Sequence, residues 1–233
     1  MLRLLCTGVL AAMLSACGLI DSNVTDFDLS MPAKTFTVDT AQWDLMGDQN
    51  GEFPAIDCSQ QDLCSAAVGQ ACGNEAICFG SCDSGAGTCQ AAVLVALSQP
   101  VNLLDEKPEL AQIEDQPLVS VTVDRIYYNV GENTMNVSTP EFMLYVAPEN
   151  VMSPGDPQAV AVGTIAPLPA ATTRAETDMV FVEGGEQALK DFMKDYKTTF
   201  RVIVGGQIEL HAGDPVPTGS LTATVQVAAH AGI

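Results

Sequence analysis

Apolar side chains recur at every second position through most of the chain after residue 90, and this period of two predicts β-strands. Val93, Val95 and Leu97 alternate with smaller or polar neighbours. Val119, Val121 and Val123 do the same until the phase slips to Ile126, Tyr128 and Val130. A slip within one strand-like run predicts a β-bulge around Asp124 and Arg125. Phe142, Leu144 and Val146 alternate, Val160 and Val162 more weakly, and Met179 and Phe181 more weakly still. Phe200, Val202, Val204, Ile208 and Leu210 share one parity, with Gly206 between them. After a Gly- and Pro-rich stretch from Ala212 to Gly219 come Leu221, Ala223, Val225, Val227 and Ala229. These last two runs read as an antiparallel hairpin with one buried and one wet face.

One segment breaks the pattern. Leu189, Phe192, Met193 and Tyr196 fall at helical spacing behind Gly184 and Gly185, and Glu186 stands four residues before Lys190. That stripe is expected to pack on a sheet. Near the N-terminal side, Thr35 to Val38 reads as a short first strand. Six to nine strands, Gly/Pro turns and one short helix predict a mainly β protein, an antiparallel two-sheet β-sandwich with a small disulfide-rich insertion. The architecture looks immunoglobulin-like or fibronectin-like, a likeness of class that implies no function.

Six cysteines crowd into 32 residues: Cys58, Cys64, Cys72, Cys78, Cys82 and Cys89. Their even number predicts three disulfides, with fifteen pairings open to them. The residues between them are mostly turn formers and polar groups, so the stretch is expected to need crosslinks to hold a shape. Zinc is disfavoured, because the stretch has neither a C-x2-C pair nor a histidine.

The first 17 residues read MLRLLCTGVLAAMLSAC: one arginine, an apolar run of about 11 residues, small residues, then Cys17. The run is too short to span a membrane. Leu14-Ser15-Ala16-Cys17 resembles the lipobox of bacterial lipoproteins. The resemblance implies cleavage before Cys17, covalent lipid on its thiol and attachment to a membrane. Gly18, where an aspartate would favour the inner membrane, points to the outer membrane. The expected plan is a signal peptide at 1–16, a lipidated cysteine and tether at 17–33, and a first strand and lead-in at 34–56. A disulfide module at 57–90 and a β-sandwich at 91–233 follow. The cysteine module is expected as an insertion between the first strand and the rest of the sandwich.

Charge narrows the partners. With 9 Lys and Arg against 29 Asp and Glu the net charge is −20. This opposes binding to nucleic acid phosphates and also attraction to anionic lipid surfaces. It leaves solubility, a cationic partner or calcium as readings. Asp48-Gln49-Asn50-Gly51 resembles the later part of a calcium loop, but Met46 stands at the first ligand position, so a plain Asn-Gly turn is expected there. The only histidines, His211 and His230, fall near opposite ends of the predicted hairpin and cannot share a site. No nucleophile elbow, zinc-protease or phosphate-loop motif occurs. No catalytic residue, metal site or cofactor is therefore expected beyond the lipid on Cys17. The expected role is a non-enzymatic binding or assembly function in the cell envelope, with a protein or glycan partner. The alternative is a carboxylate-using hydrolase or glycan-processing enzyme, which requires two carboxylates in a cleft. A weaker third reading is a carrier holding an apolar ligand between the sheets.

Overall fold

Two antiparallel sheets face each other across a shared apolar core. The computed structural model describes residues 26–58, 61–72, 77–113, 118 and 120–232. Residues 1–25, which include the expected signal peptide and Cys17, lie outside them. One sheet is built from β1 (Asp26–Asp28), β2 (Met31–Asp39), β5 (Ser120–Asn133), β8 (Arg174–Asp178) and β11 (Ser220–Gly232). The other runs in the order β3 (Cys78–Asp83), β4 (Thr88–Val101), β10 (Phe200–Leu210), β6 (Phe142–Pro148), β7 (Val160–Ile165) and β9 (Val180–Phe181).

The alternation identifies the core faces correctly. Ala91, Val93 and Val95 of β4 and Phe200, Val202, Val204, Ile208 and Leu210 of β10 are buried, facing Phe36, Val38, Ile126, Tyr128 and Val225 across the sandwich. The bulge also lies where the phase slips: the register of β5 on β11 shifts between Ala228 and Ala229, skipping Asp124. The helix α3 (Gly185–Lys194) buries Leu189 and Met193, with Tyr196 just beyond it, and carries the Glu186–Lys190 pair at 2.5 Å.

Three expectations are corrected. First, β10 and β11 do not form a hairpin; β10 pairs with β4 and β6, and β11 with β5, β2 and β1 in the opposite sheet. Alternation reports which face of a strand is buried, not which strand lies beside it. The long connection 211–219 crosses from one sheet to the other. Nor is the outer face of β10 wet throughout. Ile203 is buried in a satellite cluster with Ala147 and Val151, and a Cβ on Gly205 would meet Pro154 at 2.7 Å. Second, structure reaches back into the segment assigned to the tether. β1 pairs with β11, β2 starts at Met31, and Leu29 between them is fully buried. Third, the cysteine segment contributes to the sheet itself, because β3 is its edge strand and the boundary drawn at residue 90 falls inside β4. The segment also contains a helix, α1 (Gln61–Ala71). A four-residue helix α2 (Leu103–Glu106), capped by the Asn102 side chain on the amides of Leu104 and Asp105, follows β4.

Strand directions give the sandwich two distinct ends. At one, here the near end, lie β1, the start of β2, the finish of β11 and α2. Lys34 donates to the Pro100 carbonyl at 3.1 Å and pairs with Glu106, while Lys107 pairs with Asp28 at 2.6 Å. At the far end lie the finish of β2, the start of β11, the loop 211–219 and the disulfides.

Candidate functional site

The far end is assembled from segments remote in sequence. As β2 finishes, the Asp39 carboxylate accepts from the Ala41 amide at 3.0 Å and starts a single 3-10 turn. Thr40 is buried there, and its amide and hydroxyl both donate to the Gly219 carbonyl, at 3.1 and 2.9 Å. Gly219 has φ +99°, and a Cβ on it would lie 2.3 Å from the Thr134 carbonyl oxygen, so only glycine fits. Asp44 also has a positive φ, of 52°. Further along, the Phe53 amide donates to Asp214 at 2.7 Å, Gly213 donates back to Phe53 at 2.9 Å, and Val216 donates to Gly51 at 2.9 Å. Phe53 is buried at the centre of this stitching.

Between the two stitched segments an open cleft of about 520 Å³ is lined by Asp39, Thr40, Asp44, Thr218 and Ser220, with Leu45, Val216 and Pro217 as its apolar part. Its charge has one sign. No Lys or Arg occurs between Lys34 and Lys107, nor after Arg201, and these are the segments that converge here. Clefts lined by one sign of charge concentrate the field and draw oppositely charged groups.

The disulfides stand beside the cleft. Cys58–Cys82 ties the lead-in to β3, Cys64–Cys89 ties α1 to β4, and Cys72–Cys78 ties the end of α1 to the start of β3. Cys64, Val68 and Cys72 share one face of α1 at four-residue spacing and are all buried. Gly80 lets the helix lie on the sheet: a Cβ there would meet the Cys64 carbonyl oxygen at 2.4 Å. Leu45 bridges to Cys72 and Met46 donates to the Ala71 carbonyl at 2.8 Å, so the cleft wall is attached to the module.

The remaining candidate residues are scattered. His211 contacts Asp214 at 3.3 Å at the far end, whereas His230 contacts Asp124 at 3.1 Å and pairs in register with Asp28 at the near end. The Asp48 carboxylate is engaged by the amides of Asn50 and Glu52 at 2.8 and 3.1 Å, and Gly51 takes φ +77°, which is the expected Asn-Gly turn. Among the described residues, no group of three His, Cys, Asp or Glu side chains is arranged to hold a metal. Cys17 lies outside the described residues.

The space between the sheets is filled. The void there, lined by Phe36, Val95, Tyr128, Phe142 and Leu168 among others, measures about 30 Å³, room for about one water and not for an acyl chain. Its rim is closed by an arrangement the periodicity does not reveal. Arg174 donates to the Tyr128 hydroxyl at 2.7 Å and to the carbonyls of Ala166 and Pro167 at 3.1 and 2.7 Å. At the near end, the hydrogen bond from Lys107, aided by Ser30, holds the Asp28 carboxyl at about 2, well below its ordinary 3.8. No known protein family model matches the chain, and no curated protein is similar enough to lend it a function.

Proposed function

We propose that this chain is a lipid-anchored protein of the bacterial cell envelope, attached through Cys17 and placed at the outer membrane, with a non-enzymatic binding or assembly role. The observation that carries this reading is the state of the other cysteines. All six that follow Cys17 are joined in pairs, and such crosslinks persist in compartments more oxidising than the cytosol. This agrees with the lipobox-like Leu14-Ser15-Ala16-Cys17. The far-end cleft is the favoured place for a partner, because it is open, of one charge sign and built on crosslinked backbone. The filled interior argues against a carrier of apolar ligands.

A carboxylate-using hydrolase is the second reading. Its one supporting observation is that Asp39 and Asp44 line the same cleft, although Asp39 already caps a turn. The test of the main reading is Cys17→Ser. The unsubstituted protein is expected in the membrane fraction with acyl mass on its first residue, and the variant as an unlipidated precursor released from that fraction. A variant retained with unchanged mass overturns the anchor. Reproducible turnover of an envelope glycan by the purified protein overturns the non-enzymatic role.

A further inference from the structure

The two outer faces of the sandwich differ in kind. An antiparallel sheet with one face in water is expected to turn polar side chains outward. The first sheet does so. Thr35 lies opposite Thr224 there, Thr37 opposite Thr222 and Tyr127 opposite Asp178. Arg125 on the same face pairs with Glu176 and Asp178. Among the described residues, no exposed large apolar side chain lies on that face.

The second sheet does not. Between the buried Ala91, Val93 and Val95, β4 turns Ala92, Leu94 and Ala96 outward. Phe79 on the edge strand β3 lies opposite Ala92 and is 56% exposed. Leu94 lies opposite Gln207 of β10, and Gly205, the next outward position of β10, lies opposite Met143 of β6. Met143 lies opposite Thr164, and Thr164 opposite Val180 on the other edge, which is 70% exposed. A neutral, mostly apolar band thus crosses the sheet diagonally from Phe79 to Val180. The five strand spacings between its ends come to about 24 Å. The loop 149–159 covers only the near half of this face, where Val151 packs on Ala147 and Ile203 and Pro154 stands over Gly205. Carboxylates surround the band. Asp83 and Glu209 take outward positions of β3 and β10, Glu141 precedes β6 at the parity of Met143, and Glu149 and Asp156 belong to the covering loop. Against these five stands one cation on the outward positions of the six strands, Arg201 at the near end, which donates to the Glu149 carbonyl at 2.6 Å.

We infer that the uncovered part of this face is a docking surface for a basic amphipathic helix of another protein. An apolar centre inside a polar rim is the anatomy of a protein interface. A rim of one charge sign selects a partner of the opposite sign and rejects its own. A second copy of this chain would bring the same carboxylates to the same rim and a charge of −20 with them, so the face does not suit self-pairing. A helix of about 16 residues, rising 1.5 Å per residue, is as long as the band. Its apolar stripe would lie from Phe79 to Val180 and its Lys and Arg side chains would reach the carboxylates on either flank. The surface is separate from the far-end cleft, and it stands whether or not Cys17 carries lipid.

The test uses the full chain and three fluorescent helical peptides of about 16 residues. One has a Leu stripe and Lys elsewhere, the second has Glu in place of Lys, and the third has Ser in place of Leu. Binding is read by anisotropy. The Leu/Lys peptide is expected to bind, and the other two to bind about tenfold more weakly or worse. Phe79→Ser with Val180→Ser should weaken the Leu/Lys peptide about tenfold. Met46→Ser with Leu63→Ser, which removes exposed apolar side chains at the far end instead, should change it by less than about twofold. Glu141→Gln with Glu209→Gln should weaken it about threefold and flatten its dependence on salt. Hydrogen exchange of the unsubstituted chain needs no variant: the peptide should protect residues 78–83 and 180–181 and leave 35–39 unchanged. No binding of the Leu/Lys peptide, equal binding of the Glu or Ser peptide, a loss carried by the Met46 and Leu63 pair, or protection at 35–39 instead overturns the inference. So does a dimer in sedimentation that Phe79→Ser with Val180→Ser converts to monomer, because the face then pairs copies of the chain.

Discussion

The far end and the near end of this sandwich solve the same problem by different means. Each must hold a connection that leaves the sheets. The far end does so with three disulfides and a ladder of backbone hydrogen bonds between residues 40–53 and 211–219. The near end does so with short helical turns and two ion pairs, Lys34–Glu106 and Lys107–Asp28. The contrast teaches where a small core runs out. Residues 57–90 offer few large apolar side chains, so burial alone cannot order them, and crosslinks replace it. The near end is backed by buried Leu103 and Leu110, so its ion pairs refine a position that packing already sets.

The largest break in that contrast should come from Cys64→Ala with Cys89→Ala. This crosslink spans 25 residues, and the chain-entropy account assigns such a loop about 3.5 kcal/mol. In a domain of this size that corresponds to a fall in Tm of roughly 7–14 °C, read by calorimetry. An unchanged Tm would mean that packing already holds the module. Next comes Gly219→Ala, which puts a Cβ against the Thr134 carbonyl at a positive φ; about 2 kcal/mol of destabilisation is expected in urea titration. The smallest effect belongs to the near end. Lys107→Met should cost no more than about 1 kcal/mol, because Asp28 is largely exposed. The Asp28 carboxyl is lowered to about 2 from 3.8. Its contribution is therefore full above about pH 4 and fades as pH falls through about 2. The unsubstituted protein should show a slightly steeper loss of stability over that interval than Lys107→Met. Equal slopes would remove the ion pair from the account.

Much of this architecture could be read from the chain, and the omissions have physical causes. Period-two runs mark a buried face directly, so the inner faces of β4 and β10 and the bulge at Asp124 were legible. So was the α3 stripe, whose large apolar residues stand out from charged neighbours. Helix α1 was not, because its buried face is Cys64, Val68 and Cys72, and cysteines draw attention as crosslinks before they register as apolar side chains. β1 was missed because Asp26-Phe27-Asp28 looks polar and its pairing depends on β11, some 200 residues away. The separation of β10 from β11 and the cleft itself share that cause. Contacts such as Thr40 with Gly219 leave no local trace in either segment.

The entry of the chain beside the finish of β11 has a mechanical consequence. A load applied at the far-end cleft and resisted where the chain enters at Asp26 would run along the strands. The hydrogen bonds of β2 and β5 on β11 would then bear it side by side. A load applied between the two termini would instead meet the three residue pairs of β1 one at a time, because Asp26 lies opposite Gly232. The same sheet is stiff toward a pull along its strands and easily peeled from its paired ends at Asp26 and Gly232.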